Sequence, residues 1–201
     1  MPELADSRAV AATVFSWLDA EHHAETAALA VGWQATELDL ARWTMMVHGI
    51  GPLLYKRVHN SPLWPTLPDP LKSYLAEHYR LNRERVLAFK QELCTLLQAA
   101  AEEDISRIPL KGSPLVFEYY EDPGLRPMAD LDILARAKDL PRLDEILQRV
   151  GYEIDEEHIT SRHRNYALAR FGRAAVHMDG EHPENPHPTL AVIRCHRPGH
   201  R

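Results

Sequence analysis

Apolar residues recur at helical spacing through the first hundred positions of this chain, and near Arg107 the pattern changes to short apolar runs and alternation. A spacing near 3.6 that gives way to a spacing of two calls for helices first and a small sheet after them. Val10, Val14, Trp17 and Leu18 predict an amphipathic helix from Asp6 to about Ala20. Thr36, followed by Asp39, predicts the start of a second helix carrying Leu38, Leu40, Trp43 and Met46, which Gly49 ends. Pro52 opens a third through Leu53, Leu54 and Tyr55. Four prolines between Asn60 and Pro70 mark a loop. Asp69 then caps a long helix, with Pro70 at its first position, that runs to about Glu103 on Leu71, Leu75, Leu81, Val86, Leu93 and Leu97. Its outer cations, Arg80, Arg83, Arg85 and Lys90, read either as a solvated face or as groups that reach a phosphate.

Beyond Arg107 the elements shorten. Ile108-Pro109-Leu110 suits a strand, and Gly112-Ser113-Pro114 opens a short helix over Leu115 to Tyr120, with Ser113 as its cap. Glu121 to Ala129 is a loop. Asp130 to Ala135 alternates acid and apolar residues, the pattern of a strand with two unlike faces. Lys138 to Val150 is a helix that Gly151 stops. Tyr152-Glu153-Ile154 begins another strand, and Tyr166–Phe171 with Ala174–Met178 suggests a hairpin around Gly172. From Gly180 the chain is rich in proline and histidine. Leu190 to Ile193 alone suits a short strand there, and the histidine spacings match no compact metal site.

Composition narrows the function classes. At 45% hydrophobic and 26% charged residues, the 201-residue chain is a globular protein and not a disordered one. A formal net charge of −6 argues against a broad basic face that grips nucleic acid, while leaving room for a local cluster that holds a small phosphate-bearing substrate. Two distant cysteines make no disulfide framework or zinc motif. No secretory signature opens the chain and no apolar run reaches membrane-spanning length, so a cytoplasmic location is expected.

The residues that carry chemistry lie close together. On a strand, Asp130 and Asp132 project to the same side while Leu131 and Ile133 face the core. Adjacent carboxylates repel, and a cation between them relieves the repulsion. Mg²⁺ suits two carboxylates that share it with waters and phosphate oxygens. Upstream, Lys111-Gly112-Ser113 delivers a strand to a helix start, where free amides, a close backbone approach and the lysine charge suit an anion. Each piece has a plain alternative. The acid pair suits a solvated edge strand, Lys-Gly-Ser a simple helix cap, and Arg126 a structural ion pair instead of a contact to a triphosphate.

The stretch IPLKGSPLVFEYYEDPGLRPMADLDILARAKDLPRLDEILQRVGYE resembles the uncharacterised nucleotidyltransferase family of bacteria, a distant branch of the polymerase-β-like nucleotidyltransferases. The likeness rests on a Leu-Lys-Gly turn, an Arg-Pro pair, an Asp-x-Asp strand and a following helix with Gly-Tyr, and extends over roughly residues 36 to 178. It implies an α+β fold, with a helical N-terminal region over 1–104 and a small mixed-sheet core over 105–179, while the Pro/His-rich stretch over 180–201 reads by composition as a loose tail. It implies that Asp130 and Asp132 bind the metal and that Lys111 and Gly112 stand where related enzymes carry Gly-Ser. A third carboxylate is usual on a later strand. Here the matching position is Ala175, so Asp179, on the same strand parity, and His177 are the remaining candidates. The implied activity is Mg²⁺-dependent transfer of a nucleoside monophosphate from a nucleoside triphosphate to an acceptor, a small molecule or protein in preference to nucleic acid. Ala175 and an ending unlike the family's continuation keep open a nucleotide- or partner-binding module without turnover, and the long helix with the apolar N-terminal half keeps open a helical interaction protein lacking a mixed sheet.

Overall fold

The computed structural model describes residues 4–154, 163–168 and 190–196. The chain divides into two compact units, Met1–Leu87 with Glu121–Pro127, and Ala88–Tyr120 with Met128–Arg201. The change from helical to alternating sequence near Arg107 therefore differs from the division in space, which falls inside one long helix.

The first unit contains α1 (Leu4–Ser16), α2 (His23–Thr26), α3 (Ala35–Val47), α4 (Gly51–Val58) and the N-terminal part of α5 (Asp69–Glu102). Helix α1 ends before Ala20 because Asp19 caps a separate turn, accepting from the Glu21 amide at 3.1 Å. The box that starts α3 is Gln34 with Glu37, not Thr36 with Asp39. The Glu37 carboxylate accepts from the Gln34 amide at 2.9 Å, and Asp39 pairs with Arg42 instead. Ala41, Thr44 and Met45 face inward, while Trp43 and Met46, expected on the apolar face, are each 60% exposed. Gly49 ends α3 at φ +63°, where a side chain would be strained. At the start of α5 the Pro68 carbonyl accepts the first amide bonds, and Asp69 pairs with Lys72. Trp17, Met45, Leu54, Leu63, Leu71 and Leu75 form the centre of the core, each fully buried and each contributing roughly 1.5–3 kcal/mol. Leu81, by contrast, is 49% exposed.

The second unit is built on a five-stranded sheet in the order β1-β2-β5-β4-β3. Its strands are β1 (Arg107–Leu110), β2 (Asp130–Arg136), β3 (Tyr152–Ile154), β4 (His163–Leu168) and β5 (Leu190–His196). Among the described strands β4 and β5 run parallel and the other pairs antiparallel, so the sheet is mixed and the fold is α+β. This removes the purely helical reading. The sheet also draws on the Pro/His-rich stretch, since β5 pairs with β2 along its whole length and with β4 on its other side. Leu190-Ala191-Val192-Ile193 carries the strand propensity; the flanking prolines conceal it in a composition average. Of the expected hairpin, the structure describes His163–Leu168, while Ala174–Met178 lies outside the described residues.

Between β1 and β2 runs a short turn, α6 (Gly112–Pro114), continuing as a π-helical turn over Leu115–Tyr119. Helix α7 (Leu140–Arg149) covers one sheet face with Leu140, Leu143, Ile146 and Leu147, and Gly151 at φ +94° follows it. Leu131, Ile133 and Ala135 of β2 are buried. An apolar cavity of about 10 Å³, lined in part by Ile133, Ile146 and Leu96, has room for a water and no larger ligand.

Candidate active site

The site begins where β1 stops. Register sets Leu110 opposite Asp132, so the next residue, Lys111, leaves the sheet beside the acid strand. Lys111 takes φ +54° and ψ −109°, a conformation that favours glycine and costs a lysine about 1–3 kcal/mol. The bend sends its side chain back to the sheet, and Nζ lies 3.0 Å from Asp132 Oδ2. The two partners differ sharply in environment: the Asp132 side chain is 2% exposed and that of Lys111 60%. Asp132 is thus a buried carboxylate matched to an ammonium on its solvent side. Burying a carboxylate without a counter-charge costs several kcal/mol, so the bend and the acid stabilise each other.

Asp130, half-buried, lies two residues earlier and shares the strand parity of Asp132. On the opposite neighbour, register pairs Asp130 with His196 and Asp132 with Arg194. Gly112 and Ser113 form the first turn after the bend. Ser113 does not cap that turn; its residue is 1% exposed, and its Oγ is buried without a hydrogen-bond partner. A buried hydroxyl without a partner is uncommon and costs about 1–3 kcal/mol, unless a ligand completes it.

The structure thus brings together Lys111, Gly112, Ser113, Asp130 and Asp132 on adjoining elements. Arg126 follows a 3₁₀ turn, Pro123–Leu125, and belongs to the first unit. His177 and Asp179 lie outside the described residues, as does Ala175. Among the described residues no group of three or more His, Cys, Asp or Glu side chains is placed to hold a metal ion. The donor chemistry nevertheless fits a divalent cation, because Asp132 already holds a positive charge at 3.0 Å and Asp130 follows on the same parity. Sequence reading missed this ion pair. In the structure β1 ends opposite Asp132, which puts Lys111 beside that acid.

A family model described as uncharacterised nucleotidyltransferase matches residues 34–192, well over half of the chain. The chain belongs to this nucleotidyltransferase family. The match includes the bend, the acid strand and the first residues of β5, and it starts upstream at the capping box of α3. No curated protein and no solved structure matches the chain. Family membership makes a nucleotide the expected kind of substrate. Among the described residues no helix is long and apolar enough to cross a membrane.

Proposed function

We propose that this nucleotidyltransferase transfers a nucleoside monophosphate from a nucleoside triphosphate to an acceptor, with Mg²⁺ held by Asp130 and Asp132. The observation that carries the reading is the contact of Lys111 Nζ with Asp132 Oδ2 at 3.0 Å, at a bend whose next residues offer amides and an unpartnered Ser113 hydroxyl. A phosphate-binding bend and a cation-holding acid strand then adjoin, as phosphoryl chemistry requires.

In this reading the acceptor's nucleophilic atom attacks the α-phosphorus. The bond from that phosphorus to the bridging oxygen breaks, and pyrophosphate leaves with the electron pair. The Gly112 and Ser113 amides and the Ser113 hydroxyl donate to phosphate oxygens, and Lys111 moves its charge from Asp132 to the triphosphate. Asp179 or His177 takes the proton from the acceptor. Bound Mg²⁺ supplies Lewis-acid polarisation of the phosphate and charge neutralisation on the leaving group. The acceptor is a small molecule or a protein in preference to nucleic acid, given the net charge of −6.

A triphosphate labelled at the γ-phosphate, so that the label leaves in pyrophosphate, tests the activity. Mg²⁺-dependent release of pyrophosphate, abolished by Asp130→Asn, is the expected result. The second reading, a nucleotide-binding module without turnover, is favoured by the same ion pair: a carboxylate neutralised by its own lysine can sit beside a nucleotide without a metal. Metal-independent nucleotide binding with no pyrophosphate release would decide for it.

A further inference from the structure

We propose that the Tyr119 ring is the stacking surface for the nucleobase of the triphosphate, on the same short element whose start holds the phosphates. The inference rests on the reading of the Lys111–Ser113 bend as the phosphate site. All the residues concerned belong to the second unit.

The bend, α6 and the π-helical turn Leu115–Tyr119 form one continuous element between β1 and β2. Its inner face is Ser113 and Val116, three residues apart and both buried, and α6 packs on β1 and β2. Its outer face is Leu115 and Tyr119, four residues apart and both exposed. Between the two faces lies Phe117, and the Lys90 ammonium of α5 sits 5.9 Å from the centre of its ring, within cation–π range. The turn is therefore anchored on one side and open on the other. Single π-helical turns are rare and are frequent at functional sites.

Tyr119 is 75% exposed, the highest value for a large hydrophobic side chain among the described residues. In the second unit, all the large hydrophobic side chains left exposed among the described residues fall in one stretch of chain: Ile108 on β1, then Leu115, Tyr119 and Tyr120. One exposed ring needs no explanation, but a group of such side chains beside a polar bend marks a surface that receives a ligand. A nucleobase fits it. Tyr119 follows Gly112 by seven residues, roughly 10 Å along a helix at 1.5 Å per residue, a separation that a ribose with its phosphates bridges. The phosphates meet the amides and the Lys111 charge, and the flat base meets the ring. Stacking on a phenol accepts every base, because every base has a π face, so Tyr119 contributes affinity without choosing among them.

The test titrates the full chain with ATP and, separately, with inorganic tripolyphosphate, both with Mg²⁺. The unaltered protein is compared with Tyr119→Ala and Tyr119→Phe. Tyr119→Ala should bind ATP about tenfold or more weakly and tripolyphosphate as before, while Tyr119→Phe should keep both affinities within about twofold. Unchanged ATP affinity in Tyr119→Ala overturns the proposal, and so does an equal loss for ATP and tripolyphosphate. A loss in Tyr119→Phe as large as that in Tyr119→Ala assigns the affinity to the hydroxyl and overturns stacking. Sedimentation of the same proteins reads the rival occupant: an oligomer that Tyr119→Ala dissociates, with ATP affinity unchanged, makes the ring a protein contact and overturns the proposal. If the unaltered protein binds ATP in a Tyr119-dependent way but not tripolyphosphate, the phosphate reading of the bend fails and stacking stands. If it binds neither, both fall.

Discussion

Lys111 has two duties that pull against each other. Its backbone sits where glycine is at ease, and its ammonium is the counter-charge of a buried carboxylate. Lys111→Gly relaxes the backbone and strips the charge, whereas Lys111→Met keeps the strain and strips the same charge. The glycine variant should therefore be the more stable of the two, by about 1–3 kcal/mol of relieved strain. Lys111→Met should fall below the unaltered protein by roughly 1–3 kcal/mol, because Asp132 is left buried without its ammonium. Urea denaturation of the three proteins checks the order. Equal stability of both variants and the parent would mean that neither strain nor ion pair matters. The sequence made the acid pair legible through alternation. It did not reveal the ion pair, because a lysine next to glycine looks the same whether it awaits a phosphate or holds an acid.

At the scale of elements, α4 and α5 pack through a place with no spare room. A Cβ on Gly51 would come within 2.5 Å of His78 Nδ1, an atom buried without a hydrogen-bond partner. Burial, helped by the nearby Arg85 charge, holds the His78 imidazole below its ordinary value of 6.5. The folded state therefore binds this proton less readily than the unfolded chain. Its contribution to stability is intact above about pH 6.5 and is lost as pH falls from there through the lowered folded value. Thermal unfolding at pH 7.5 and 5.5 should show a smaller acid-side loss of Tm in His78→Gln than in the parent. An identical loss would remove the argument. Helix starts and stops that depend on one residue type, such as Gly49 and Gly151, were readable. The starts of α3 and α5 were displaced by one or two residues, because Thr36, Asp39 and Asp69 are all plausible caps and only packing chooses among them. Leu81 shows the same limit: its apolar side chain fits the period, yet it faces solvent.

Over the whole molecule, the order of elements was legible and their grouping was not. The switch of period at Arg107 marked where the sheet begins, but α5 carries the chain from one unit to the other, and Glu121–Pro127 returns to the first. Such crossings depend on contacts distant in sequence, Asn82 with Gly124 and Tyr79 with Asp122, that no local pattern announces. Leu190–His196 is the converse case, a strand set among prolines and histidines that joins β2 to β4. The proposed activity requires the acid pair to capture a divalent cation together with a nucleotide. Calorimetric titration of ATP into the protein, with and without Mg²⁺, and into Asp132→Asn, measures this directly. Binding that requires Mg²⁺ and weakens by about 100-fold in Asp132→Asn is the expected result, since the variant loses one of two carboxylate ligands. Equal affinity in both proteins, with no dependence on the metal, would contradict it.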